Sequence, residues 1–197
     1  SAQPDNNRRY VQLQPGRLTG ELVDARLGNV QIFRERLSAG MIVEAAPPAQ
    51  LVPFGVVLSS RGPIRFCGDD FCATTLAQAT AGTWDIRFAG PLDYVSCVFE
   101  RSWFDREASA LLGHAPPKHW FRNGSQPSSL ATIRQLGLTI AQTLRRLQHD
   151  ASSIEPDRIR RTVEAEVLRL TVATLTSHDA TAAPLESAAR RHRAIRR

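Results

Sequence analysis

A metal centre or a general acid–base pair needs histidines, thiolates or carboxylates that converge, so their placement is the first constraint. The five histidines are His114, His119, His149, His178 and His192, and none falls between residues 8 and 100. Of the three cysteines, Cys67 and Cys72 are close in sequence and Cys97 stands alone. Two soft ligands without a second Cys or His pair do not make a zinc site, so no metal is expected. Cys97 sits in Tyr94-Val95-Ser96-Cys97-Val98-Phe99, an apolar run that predicts a buried neutral thiol with no histidine to activate it. The carboxylates Asp69, Asp70, Asp85 and Asp93 could approach one another, but Asp69-Asp70 follows Gly68, where Asp serves local turn hydrogen bonds. No Gly-x-Ser-x-Gly elbow and no glycine-rich phosphate loop is present. These readings predict no catalytic residue, no cofactor and no enzyme.

What remains is a concave, largely apolar site for a small molecule. Its candidate wall is Phe54, Phe66, Trp84, Phe88 and Phe99, with Arg65, Arg87 or Tyr94 as polar anchors. Core packing is the simpler role for each aromatic. A solvated strand face is the simpler role for each arginine, and an inward arginine would want a carboxylate or phosphate.

The elements that would position these residues are strands first and helices later. Leu18–Leu27 and Val30–Leu37 read as a hairpin closed by Gly28-Asn29, with Val30 and Ile32 on one face and Phe33 and Glu35 on the other. Tyr10–Gln14, Met41–Ala46, Leu51–Ser59, Ile64–Cys67, Phe71–Leu76, Thr83–Phe88 and Tyr94–Glu100 complete about nine short strands, the density of a sandwich or barrel. Gly68-Asp69-Asp70 is expected to turn between two of them. Ser102 is expected to cap a short helix ending at Gly113, and residues 114–124, with Pro116-Pro117, to form a loop. A helix from Ser128 or Ser129 to about His149 carries Ile133, Leu136, Ile140, Leu144 and Leu147 at steps of three and four. Pro156 is placed to start another helix, with Ile159, Val163, Val167 and Leu170 on one face and Leu168, Val172 and Leu175 on a second. The surplus apolar surface predicts a dimer interface at Ile133, Leu136, Ile140, Leu144, Val163, Leu168 and Leu175. Thr181–Pro184 is expected to break the chain before a final arginine-rich helix.

Charge is uneven. Of the net +6, residues 1–184 contribute 20 basic and 18 acidic side chains, and residues 185–197 five arginines and one glutamate. A nearly neutral body argues against broad phosphate contact, and a basic end leads toward something that makes it. No apolar run of membrane-spanning length and no leader pattern is seen, which with free cysteines predicts a cytoplasmic protein.

The order and spacing of several segments resemble the N-terminal region of AraC-type (AraC/XylS-like) transcription regulators. They are Tyr10-Val11-Gln12-Leu13-Gln14-Pro15-Gly16, a strand ending Arg26-Leu27-Gly28, Val30-Gln31-Ile32-Phe33-Arg34-Glu35-Arg36-Leu37, Arg65-Phe66-Cys67-Gly68, and the Trp84 strand after Gly82. Ala189-Arg190-Arg191-His192-Arg193-Ala194-Ile195-Arg196-Arg197 is similar to the family's basic lead-in to its helix-turn-helix domain. The expected fold is α+β: a cupin-like β-barrel or sandwich over residues 1–101, an antiparallel helical pair within 102–180, and a basic helix over 181–197. The resemblance implies a sensing domain, a homodimer, a small-molecule effector, and DNA contact through a domain beyond residue 197. A cupin-like enzyme and a protein-interaction module are the alternatives.

Overall fold

The computed structural model describes residues 8–80, 82–149 and 157–194, with side chains in the last helix up to Ser177. It is α+β, with two antiparallel sheets and three α-helices. One sheet orders β1 (Arg9–Gln12), β4 (Met41–Ala45), β9 (Trp84–Phe88), β6 (Ile64–Phe66) and β7 (Asp69–Asp70). The other orders β11 (Gly124–Pro127), β8 (Thr75–Gln78), β5 (Leu51–Ser60), β10 (Leu92–Glu100), β3 (Val30–Leu37) and β2 (Gly20–Leu27).

Alternation along the strands divides the interior in two. Phe33, Leu37, Val57, Ala77, Tyr94 and Val98 of the six-stranded sheet meet Met41, Val43, Phe66, Trp84, Ile86 and Phe88 of the five-stranded sheet. The opposite face of the six-stranded sheet presents Val30, Ile32, Val52, Phe54, Val56, Val95 and Phe99 to the helices. Strand β10 is buried on both sides, and therefore reads as a nearly continuous apolar run.

Turn chemistry sets the registers. β2 and β3 pair from Leu27↔Val30 outward, around a two-residue loop in which Gly28 alone has positive φ (69°), the pattern of a type II′ turn. Between β6 and β7 both loop residues, Cys67 (φ 50°) and Gly68 (φ 85°), are left-handed, as a type I′ turn requires. Asp69 and Asp70 are thus strand residues rather than the turn, and the following strand begins at Thr75, not at Phe71. The loop expected over residues 114–124 contains a 3₁₀ turn, Lys118–Phe121, and leads into β11, an edge strand absent from the expectation. Its sequence, Gly124-Ser125-Gln126-Pro127, has no apolar alternation to reveal it.

Helix α1 (Arg101–Leu112) is capped by Glu100, whose carboxylate accepts from the amides of Ser102 (3.1 Å) and Trp103 (2.8 Å), and not by Ser102. It stops at Gly113 in the left-handed conformation. Helix α2 (Leu130–His149) lies across β3, β5 and β10. Gly137, where an added Cβ would come within 2.9 Å of Leu58, lets its backbone approach the sheet closely. Helix α3 (Asp157–Ala194) runs antiparallel to α2, because Ser128 and Ser129 at the start of α2 bond Ser177. The start expected at Pro156 lies outside the described residues.

Two expectations are corrected here. The chain does not break at Thr181–Pro184: α3 continues through Pro184 as one helix. Proline removes one amide donor, and the helix formers around it, Ala180, Ala182, Ala183 and Leu185, sustain the backbone. The basic segment is thus the far end of α3 as far as Ala194. The second correction concerns the helix stripes. Ile133, Leu136, Ile140 and Leu144 are at most 2 % exposed, because they pack on the chain's own sheet. Leu168 and Leu175 are buried in the same core and Val163 partly so. Surface already buried within one chain cannot face a second. No helix among the described residues is long and apolar enough to cross a membrane.

Candidate functional site

The space between the sheets contains a cavity of about 50 Å³. Most of its wall is apolar, from Phe33, Phe66, Phe71, Trp84, Ile86 and Val98. One end is polar and built around Glu35, which is 4 % exposed. Glu35 follows Phe33 by two residues on β3 and therefore points inward with it. It accepts from Tyr10 Oη on Oε1 (2.8 Å), and on Oε2 from Arg8 Nη1 (3.0 Å) and the Tyr94 hydroxyl. Arg8 also lies over the Phe33 ring, 4.8 Å from its centroid. Strand β10 brings Tyr94 opposite Glu35 in register, while β1 carries Tyr10, with Arg8 just before it.

Burial pushes the Tyr94 phenol well above its ordinary range, and the Glu35 charge adds to the rise. The Tyr10 phenol is raised for the same reasons, burial first. Burial alone would lower the Arg8 pKa, but its tyrosine and glutamate neighbours outweigh that and hold the guanidinium charged. The cluster is thus a buried ion pair with two neutral hydroxyl donors. Two donors of residues that line the cavity lack acceptors among the described residues: Arg8 Nε and Trp84 Nε1.

Of the residues expected at a pocket, Phe54, Phe66, Trp84 and Tyr94 line this cavity and Phe88 belongs to the core around it. The Phe54 ring nevertheless packs against Phe99 (6.1 Å) and Phe104 (5.4 Å), because its position on β5 faces the helices. Phe99 faces the helices too. Arg65 and Arg87 do not point inward. Each stands between two inward residues, so alternation turns it to solvent, where their side chains are 59 % and 61 % exposed and paired with Asp70 and Asp85. Arg8, Tyr10 and Glu35 had not been singled out. The available signal was Glu35 itself, a charge on the face shared by Phe33 and Leu37.

The thiols are dispersed. Cys72 is exposed, Cys67 half-buried and Cys97 buried, where burial pushes its thiol up to about 12. Among the described residues no three of His, Cys, Asp and Glu are grouped to hold a metal ion.

A second polar contact ties the helices to the β unit. Glu164 of α3 is buried and accepts from the backbone amide (2.6 Å) and the side-chain amide (3.0 Å) of Asn29, in the β2–β3 turn. A Cβ on Gly28 would lie 3.0 Å from that carboxylate, so glycine there serves both the turn and the docking of α3.

No family model and no curated protein matches the chain. Among solved structures it is similar to the AraC-like transcriptional activator CuxR, at 13 % identity and a TM-score of 0.55, over 86 % of this chain and 61 % of that one. The chain thus spans less than two thirds of that protein. It also aligns with the Cupin_2 domain of an XRE family transcriptional regulator from Enterobacter cloacae (15 % identity, TM-score 0.34, 42 % of this chain and 95 % of that one). A third is oxalate decarboxylase from Bacillus subtilis (15 % identity, TM-score 0.32, 64 % of this chain and 42 % of that one). At these identities the likeness to CuxR is one of fold: two antiparallel sheets joined to helices in one arrangement.

Proposed function

We propose that this chain is the effector-sensing and dimerisation region of an AraC-type transcription regulator whose helix-turn-helix domain lies beyond residue 197. The observation that carries the reading is the likeness to an AraC-like activator over 86 % of the chain, helices included. In this reading residues 1–101 form a cupin-like barrel that senses a small molecule between its sheets. Residues 102–180 join two copies, and 181–197 lead into the DNA-binding part. The protein works in the cytoplasm and has no catalytic step.

The buried polar cluster suits this role: it places hydrogen-bonding groups at one end of an apolar cavity, as recognition of a small molecule requires. The Glu164–Asn29 contact supports a route outward, since β3 carries both Glu35 and the turn that α3 grips. A ligand that favours one position of β3 would shift α3 and whatever follows it. With the α2 stripe buried, pairing of two chains falls to surfaces such as those around Leu138 and Ile159, exposed on α2 and α3.

The test is to express the chain together with the codons that follow Arg197 in its gene and to footprint the product on the DNA upstream of that gene. Sequence-specific protection, by a species that sediments as a dimer at micromolar concentration, is the expected result. A stop codon after Arg197, or uniform salt-sensitive binding without protected sites, overturns the reading.

A further inference from the structure

Building on the sensing role, we infer that the cavity between the sheets takes a small uncharged molecule bearing a hydrogen-bond acceptor, of the ketone, ester or amide class, read by the Trp84 indole and Arg8 Nε. Three features of the cavity define that class.

The first is the sign of the unmet hydrogen bonds. Trp84 is 8 % exposed and lines the cavity, and among the described residues its Nε1–H has no acceptor; Arg8 Nε–H has none either. Both groups are donors only. A buried donor without a partner is costly, so such groups normally meet protein, water or ligand. The protein has little to offer here, because Glu35, the acidic group of this end, already accepts from Arg8, Tyr10 and Tyr94. The missing partner is an acceptor brought from outside.

The second feature is charge. Arg8 and Glu35 form one ion pair and cancel. A carboxylate ligand would put a second anion near Glu35 in a low-dielectric space, with no cation to offset it. A cationic ligand would find donors where it needs acceptors. A neutral acceptor offers what the unpaired donors need and leaves the pair intact.

The third is size and lining. About 50 Å³ of free space holds roughly four water-sized groups. The rest of the wall is aromatic and aliphatic, with Phe66 5.5 Å from Trp84 and 6.1 Å from Phe71, centroid to centroid. This suits an apolar body of a few atoms and disfavours a chain of hydroxyls.

The experiment follows the three indole N–H resonances (Trp84, Trp103, Trp120) of the whole chain by two-dimensional NMR, during titration with butan-2-one and, separately, propionate. Trp84→Phe assigns the resonance and removes the donor. Ala77→Val narrows the cavity from the opposite wall and leaves Trp84 in place. Butan-2-one is expected to move the Trp84 signal downfield with saturation, leave Trp103 and Trp120 in place, and, read on the backbone amides of the cavity wall in the same spectra, bind about tenfold more weakly to Trp84→Phe, the loss of one net hydrogen bond. Ala77→Val should abolish the shift, and keeps the test open if Trp84→Phe does not fold. Propionate binding as tightly as butan-2-one overturns the neutral class. No saturable shift with either probe means the space holds water only and overturns the site. Footprinting and sedimentation are unaffected by that outcome, so this inference can fail while the regulator reading stands.

Discussion

The two faces of the six-stranded sheet are built from the same strands to opposite ends. On β10, Val95, Cys97 and Phe99 face the helices and are at most 1 % exposed, in a core shared with Leu136, Ile140 and Phe104. Tyr94 and Val98, at the alternate positions, face the other sheet, where a charged cluster, two unpaired donors and an unfilled space interrupt the packing. Unpaired polar atoms outside that space belong to Gln78, Gln126 and Trp120, on and near the β8–β11 edge, and to Asp105 on α1. The helix-side core supplies stability and the inter-sheet core gives some of it up, a division expected where a fold reserves one interior for recognition.

That comparison is easiest to break with the largest effect. Phe104 is fully buried and touches Phe54, Phe99 and Phe121. Phe104→Ala should cost about 3–5 kcal/mol in urea unfolding. Glu35→Gln, in the inter-sheet core, should cost less, on the order of 1–3 kcal/mol, although it strands a buried guanidinium. The reason is location: Arg8 precedes β1, a four-residue edge strand paired only with β4, and can leave with it. The loss should therefore be local, with hydrogen exchange of the Arg9–Gln12 amides rising far more than that of β10. If Glu35→Gln costs as much as Phe104→Ala and unprotects the whole sheet, the cluster is structural and the contrast between the two faces fails.

The same contrast explains what could be read without a structure. Hairpin β2–β3, the alternation of β9 and the length of α2 follow from period and turn residues, which are local properties of the chain. Which partner an apolar face meets is not local. The stripe Ile133-Leu136-Ile140-Leu144 is equally compatible with a second subunit and with a sheet, and only the three-dimensional arrangement places it on the sheet. Phe54 and Phe66 are both aromatic strand residues, and the strand's position relative to the helices decides that Phe54 joins the helix-side core and Phe66 the one between the sheets. The Glu35 cluster joins residues up to 86 positions apart, Arg8 through Tyr94, so no spacing rule could assemble it. Its one local trace was a glutamate where alternation called for an apolar residue.

A smaller effect sharpens the link between the two regions. Glu164→Ala removes the acceptor of both Asn29 donors and should cost about 1–2 kcal/mol. Its informative readout is exchange in the β2–β3 turn with and without a ligand that fills the cavity. Ligand-dependent protection of α3 amides near Val163 should be present in the parent chain and absent from the variant. Protection that persists in Glu164→Ala would show that α3 senses the interior by another route.

The smallest expected effect concerns two thiols that differ by which region holds them. Cys97 faces the helices, contacts Thr171 Oγ1 at 3.5 Å, and is pushed up to about 12 by burial. Cys72 is exposed, and although burial works to raise its pKa, hydrogen bonds from Thr74 and Thr75 outweigh it and favour the thiolate. At pH 8 iodoacetamide should label Cys72 rapidly and Cys97 only through opening of the helix-side core. The stability consequence has a definite sign. The folded state holds the Cys97 proton after the unfolded chain has lost it near 9, so stability is flat below that pH and falls as pH rises from there toward 12. Measured against Cys97→Ala, the difference should reach about 1 kcal/mol at pH 10. Equal labelling rates for Cys97 and Cys72, or no pH-dependent difference from Cys97→Ala, would mean that the helix-side core opens as readily as a surface turn, and the two faces of the sheet would then not differ in the way their packing implies.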